Sequence, residues 1–335
     1  MREILKNNRT YKLPGGLNPF QERLYMHLID WKWDHVSMEP GYDSNHIQYD
    51  AILPENVRNE LPHIYPPIRK ALREMEFKYH KYFYHMVSSQ AANINLFLPI
   101  LLDDNVDGVM RLIKRDYKKL AQQFYQYGFC LEYWGKSDSN KGLLQDHTAR
   151  SGTDSDIAIA YYNTDDELCL WLIEHKLAEK DFTNCGAFKS KARDPKKHDC
   201  TSTFSEICAN KNICYYSDVR KNLYWELTDD FQEFFQNHHD YAGCPFKDGM
   251  NQLWRNQLMG FALEQAGEFK HVYFSVVKHP DNTSLDAVIK EYEHLIGSND
   301  KFSVLTTSEI IEKASLFENS SIQKWAEWYK TFYDI

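Results

Sequence analysis

Two apolar runs joined by a polar turn constrain this chain more than any other feature. The first is Gly152-Thr153-Asp154-Ser155-Asp156-Ile157-Ala158-Ile159-Ala160 and the second is Leu170-Trp171-Leu172-Ile173-Glu174-His175-Lys176, with Asn163-Thr164-Asp165-Asp166-Glu167 between them. Short apolar runs bounded by turn residues read as strands, so the spacing predicts a pair of adjacent strands. An acid opens the first. In the second, Glu174 and Lys176 interrupt a run that otherwise reads as buried. Strand side chains alternate, so these two project to one face, their Cα atoms roughly 6.7 Å apart, and His175 to the other. Burying charge costs several kcal/mol unless a partner or a metal compensates. A carboxylate and an ammonium beside a second carboxylate can bind a hard divalent cation and position a water. The alternative is a buried Glu174–Lys176 ion pair on an ordinary sheet.

The remainder of the chain supplies the elements around this pair. Residues 1 to about 66 read as irregular, punctuated by Pro14-Gly15-Gly16, Pro40-Gly41 and Pro66-Pro67. After Pro67, the stripe Ile68, Leu72, Met75, Tyr79, Tyr82 and Met86 predicts a helix of about five turns. A helix over 105–126, a strand at Phe129–Trp134, a helix opening at Asn251, a strand at His271–Val277, a helix over 285–296 and a short strand at Ser303–Leu305 follow. Thr306-Thr307-Ser308-Glu309 and Ser320-Ser321-Ile322-Gln323 read as capping boxes of two last helices. Strand–helix–strand in the last third predicts parallel pairing. The expected organisation is an N-terminal, mostly helical or irregular extension over residues 1–85, packed on an α/β domain over residues 86–335.

An aspartate and Glu-x-Lys on two adjacent strands resembles the PD-(D/E)xK nuclease superfamily, to which many restriction endonucleases belong. The resemblance implies a mixed central sheet flanked by helices, a restriction-endonuclease-like core. It implies a DNA endonuclease in which Asp156 and Glu174 hold Mg²⁺, with Mn²⁺ able to substitute, and Lys176 orients or activates the attacking water. Ser155 stands where the proline of the motif would be, and Asp154 is a rival for the first acid. Asp156 is preferred because it abuts the strand directly. Ser88-Ser89-Gln90-Ala91, Glu132, Cys185-Gly186 and Arg255-Asn256-Gln257 narrow the resemblance to a group of bacterial restriction endonucleases within the superfamily. Glu132, on the preceding strand, is a third candidate metal acid. Gln90, Arg255 and Gln257 are candidate DNA contacts, and Arg255 or Gln257 could instead orient Lys176. The other function class is a non-catalytic nucleic-acid-binding or interaction module on a nuclease-like core. Cutting a duplex requires two active sites or two binding events, so a homodimer is expected.

Charge and cysteine content bear on partners. The net charge of −9 argues against nonspecific binding to a polyanion but leaves room for a local basic cleft. Lys189, Lys191, Arg193, Lys196 and Lys197 cluster just after the proposed active strands and are candidate phosphate contacts. Lys114, Arg115, Lys118 and Lys119 read as a solvated helix face. Seven cysteines, a first segment unlike a signal peptide and no run of membrane-spanning length predict reduced thiols in the cytoplasm. Cys185, Cys200, Cys214 and Cys244 all follow the active strands. They could form a structural Zn²⁺ site, or carry an iron–sulfur cluster as some related nucleases do, or be plain buried thiols.

Overall fold

The computed structural model describes residues 2–6, 8–43, 45–135, 140–148, 151–190 and 193–335. Its frame is a six-stranded mixed sheet. The two expected central strands form as Ser155–Asn163 and Leu168–Lys176 and pair antiparallel, from Ile157 opposite Ile173 to Tyr162 opposite Leu168. Asn163 shapes the turn, its side-chain oxygen accepting from the amides of Asp165 and Glu167. His271–Lys278 adds parallel to the second strand, and Phe302–Thr306 adds parallel beyond it. The helix Asp286–Ile296 makes the crossover that parallel pairing requires. On the other side, Tyr117–Leu120 and Phe129–Tyr133 both pair antiparallel with Ser155–Asn163, towards opposite ends of it.

Both faces of this sheet are covered, which is why its central strands read as nearly continuous apolar runs. Ile157, Ile159, Tyr161, Trp171 and Ile173 pack into one core with the helices Ser89–Leu101 and Ser320–Tyr333. Ala158, Ala160, Leu170 and Leu172 pack into a second core with the helix Met250–Gln265. The predicted α/β arrangement, a mixed sheet flanked by helices, is the one adopted.

The N-terminal expectations need correction. Residues 2–13 form a hairpin and Pro19–His35 is a helix of 17 residues. Its signal is Asn18-Pro19-Phe20-Gln21, a reciprocal capping box with proline in the first turn. Leu24 and Leu28 of this helix share the core that holds Phe97, Ile157 and Trp325. The five-turn helix after Pro67 shrinks to Arg69–Glu74. Aromatic residues after it are poor helix formers. They pack edge-on or tilted against one another instead, with ring centroids 4.6 Å apart for Phe77 and Tyr79 and 4.5 Å apart for Tyr79 and Phe83. The backbone there is taken by other partners, with the Leu53 amide donating to the Tyr84 carbonyl and the Met86 amide to that of Ala51. The helix expected over 105–126 ends at Ile113 and is followed by the strand Tyr117–Leu120. Thr306 and Glu309 form their capping box, whereas the last helix is capped by Asn319. No helix among the described residues is long and apolar enough to cross a membrane.

Candidate active site

The strand register aligns three acids. Continuing the central pairing by one residue from Ile157–Ile173 sets Asp156 opposite Glu174. Directly opposed residues of an antiparallel pair share a face. On the other neighbour, Leu131 pairs with Ile157 and Tyr133 with Ser155, so Glu132 stands opposite Asp156. Glu132, Asp156 and Glu174 thus lie level on three adjacent strands, with Glu132 itself left out of the ladder. Asp154 lies two residues before Asp156, just ahead of the strand and closer to solvent.

Glu174 and Lys176 are both buried, at 5% and 7% exposure, beneath the helix Met250–Gln265. Three donors meet the Glu174 carboxylate. Gln252 Nε2 donates to Oε1 at 2.7 Å, Asn256 Nδ2 donates to Oε2 at 2.9 Å, and Lys176 Nζ lies 2.8 Å from Oε1. Lys176 also donates to Gln252 Oε1 at 3.3 Å, and the Thr183 amide donates to the same oxygen at 3.0 Å. Asp156 is fixed differently, its Oδ2 accepting from the main-chain N–H of His175 at 2.6 Å. The His175 ring is fully buried without a polar partner, and burial lowers its pKa to about 3, so it stays neutral.

Crowded carboxylates resist ionising together. Burial raises Asp156 well above the usual carboxylate range, and Glu174 and Glu132 raise it further against the pull of Lys176. Glu132 is raised to about 8, first by burial and then by Asp154, with the Gln90 hydrogen bond opposing. Asp154 is raised by its desolvating surroundings and by Glu174. A cation among these groups would relieve that repulsion. Burial pushes the Lys176 pKa down, but Glu174, Glu179 and Asp156 more than offset this and leave it raised, so it is an ammonium at neutral pH.

Glu132 carries a backbone signature as well. Its φ of 50° places a non-glycine residue in the left-handed region within a strand. Alternation resets there, because Leu131 belongs to one core and Tyr133 to the opposite one. Gln90 Nε2 donates to Glu132 Oε1 at 2.7 Å and to the Lys78 carbonyl at 3.0 Å, while its oxygen accepts from the His80 amide at 2.9 Å. Gln90 is therefore a buried brace for Glu132, not an exposed DNA contact.

The remaining predicted residues divide by exposure. Lys189, Lys196 and Lys197 are exposed, and Lys197 pairs with Asp218 at 2.7 Å. Lys191 lies outside the described residues. Arg193 is turned inward, over the Phe188 ring at 5.2 Å and 3.0 Å from Cys200 Sγ. Arg255 also points inward, donating to Thr153 Oγ1 at 3.2 Å and the Gly152 carbonyl at 3.4 Å, where it braces the chain entering the acid strand. Gln257 is fully buried with no polar partner, so it offers nothing to a DNA surface. Sequence reasoning named Arg255 and Gln257 on this helix and missed Gln252 and Asn256. Their spacing of four was the available signal, since it puts two amides on one helix face. Cys185, Cys200, Cys214 and Cys244 line one small cavity away from the acids.

Among the described residues, no three His, Cys, Asp or Glu side chains already meet as a metal-ligand set. The donor chemistry of the acid row nevertheless suits Mg²⁺, which takes one or two protein carboxylates and keeps several waters. A family model described as "Restriction Endonuclease associating with ARP" matches residues 30–334. No curated protein and no solved structure matches the chain. The match runs from within the N-terminal helix to the end of the last one and takes in the sheet, the acid row and the cysteine-lined cavity, so the chain belongs to the family of restriction endonucleases associating with ARP.

Proposed function

We propose that the protein is a Mg²⁺-dependent DNA endonuclease of the PD-(D/E)xK type, acting in a restriction or other defence system in the cytoplasm. The observation that carries this reading is Lys176 paired with Glu174 at 2.8 Å, with the Asp156 carboxylate accepting from the main-chain N–H of His175 between them at 2.6 Å. Asp156 and Glu174, with the main-chain carbonyl of His175, would hold the ion, and Glu132 would lie close by. A bound Mg²⁺ supplies charge stabilisation at the scissile phosphate and acidifies a bound water. Lys176, an ammonium held on Glu174, donates a hydrogen bond to the attacking water or to a phosphate oxygen and is not the general base in this state. Gln252 and Asn256 fix the Glu174 carboxylate so that both oxygens have set directions. Exposed Lys189, Lys196 and Lys197 are the candidate phosphate contacts beside the site. A homodimer would supply the second active site for cutting a duplex.

One observation favours the second reading, a nuclease-like core without catalysis. Glu174 already has three hydrogen-bonding partners, which is what a self-sufficient buried ion pair requires. Incubating plasmid DNA with the protein, with and without Mg²⁺ or Mn²⁺, decides between them. Nicked and linear products that need the metal and vanish in Asp156→Asn are expected. Intact plasmid with both metals, from a protein that still binds DNA, would leave the non-catalytic reading.

A further inference from the structure

Beyond the acid row, a second cluster of titratable side chains lies in the segment between the second acid strand and the helix Met250–Gln265. Among the described residues this segment has no strand, and its two α-helices, Phe204–Ala209 and Tyr224–Asp230, are short. Four separate turns each bring one cysteine to the same cavity of about 20 Å³: Cys185, Cys200, Cys214 and Cys244. The turns are tied through their backbones, the Cys244 amide donating to the Cys200 carbonyl at 3.2 Å and the Cys185 amide to that of Lys247 at 3.3 Å.

What surrounds the sulfurs is informative. Cys185 and Cys244 are buried and Cys200 and Cys214 half-buried, among the rings of Trp225, Phe246 and Trp254. Arg193 Nη1 donates to Cys200 Sγ at 3.0 Å. A guanidinium beside sulfur in a largely apolar lining suits the negative charge of a metal–cysteine centre. Four cysteines lining one cavity supply the donor set that zinc prefers, sulfurs in tetrahedral array. At about 20 Å³ the cavity is small, as a site for a single ion is. The Arg193 guanidinium would partly offset the double negative charge of a tetrathiolate zinc centre.

We infer that Cys185, Cys200, Cys214 and Cys244 form a structural zinc site that staples this strand-poor segment. The sulfurs line the cavity without yet meeting as a ligand set, so they draw in around the ion as it binds. The staple has a short path to the acid row. Thr183, two residues from Cys185, donates its amide to Gln252, which holds both Glu174 and Lys176.

The test is elemental analysis of the purified full chain. About one zinc per chain is expected, with neither iron nor acid-labile sulfide. Cys214→Ser and Cys244→Ser should each lose at least about nine-tenths of the zinc and melt at lower temperature. Cys130→Ser and Asp156→Asn should keep it, so the result stands whether or not the protein cuts DNA. If the serine variants prove insoluble, the wild-type chain produced in cobalt medium gives a second readout, the intense ligand-field absorption of tetrahedral cobalt tetrathiolate. Metal-free wild type, zinc retained in both serine variants, iron with sulfide in place of zinc, or a cobalt spectrum without those bands would each overturn the assignment.

Discussion

The acid row and the cysteine cavity gather charged or chargeable groups in opposite ways. The acids stand on strands, where register fixes neighbours and, except at the left-handed Glu132, two residues return to the same face. The cysteines stand on turns that are brought together only by tertiary folding. The acids leave an arrangement that can open to a substrate, with Asp154 reaching solvent, whereas the thiols close on a cavity about one ion in size. The contrast predicts that substitutions in the acid row separate activity from stability, while substitutions of the cysteines lose stability first.

The largest effect tests that separation directly. Asp156→Asn keeps a side-chain oxygen for the His175 amide and removes one charge from a crowded row. Cleavage should fall roughly a thousandfold or more, as expected when several kcal/mol of metal-borne stabilisation is lost, with a melting temperature at or above wild type. Near-normal cutting would remove Asp156 from the chemistry. Lys176→Met comes next. As a water- or phosphate-orienting group its loss should slow cleavage about a hundredfold, and Glu174 would keep its two amide donors. Unfolding by about 3–5 kcal/mol instead would mark Lys176 as a structural counter-ion.

Smaller changes sharpen the picture. Asn256→Ala removes one hydrogen bond to a buried carboxylate and should cost about 1.5–3 kcal/mol in denaturant unfolding. An unchanged midpoint would show that water replaces the amide. The smallest effect is in pH. Glu132 is raised to about 8 in the folded protein, above its unfolded value in the ordinary carboxylate range. The stability it contributes is complete at low pH and is lost as pH rises towards 8. The metal-free protein should therefore melt at progressively lower temperature over that interval, and Glu132→Gln should flatten the slope. Added Mg²⁺, which binds the ionised acids, should raise the melting temperature more at the upper end. A profile that rises across the interval would contradict the crowding of the acids.

What was legible in the chain follows from the same physics. Ile157 to Tyr162 and Leu168 to Ile173 had to be apolar because both faces of the sheet are covered, so the strands, their turn and the parity of Glu174, His175 and Lys176 could be read directly. Glu132 could be suspected from its position but not its left-handed backbone, which depends on the two cores it joins. The contacts of Gln252 and Asn256 with Glu174, and the inward turn of Arg255, depend on how a helix remote in sequence rotates on the sheet. The raised pKa of Lys176 depends on Glu179 and Asp156 as well as its immediate partner. In the N-terminal part, the apolar stripe after Pro67 mimicked helical periodicity, but its Tyr79 packs edge-on and tilted against Phe77 and Phe83, and the capping box at Asn18 was the better guide.

Because the Asp156 carboxylate closes on a main-chain N–H, the site contains its own reporter. An amide proton whose nitrogen lies 2.6 Å from a carboxylate oxygen is shielded from exchange with water and strongly polarised. Neutralising Asp156, or turning its oxygen towards a cation, weakens that hold. In a nuclear magnetic resonance spectrum the His175 amide would then shift and exchange faster, registering occupancy of the acid row without substrate, dye or label.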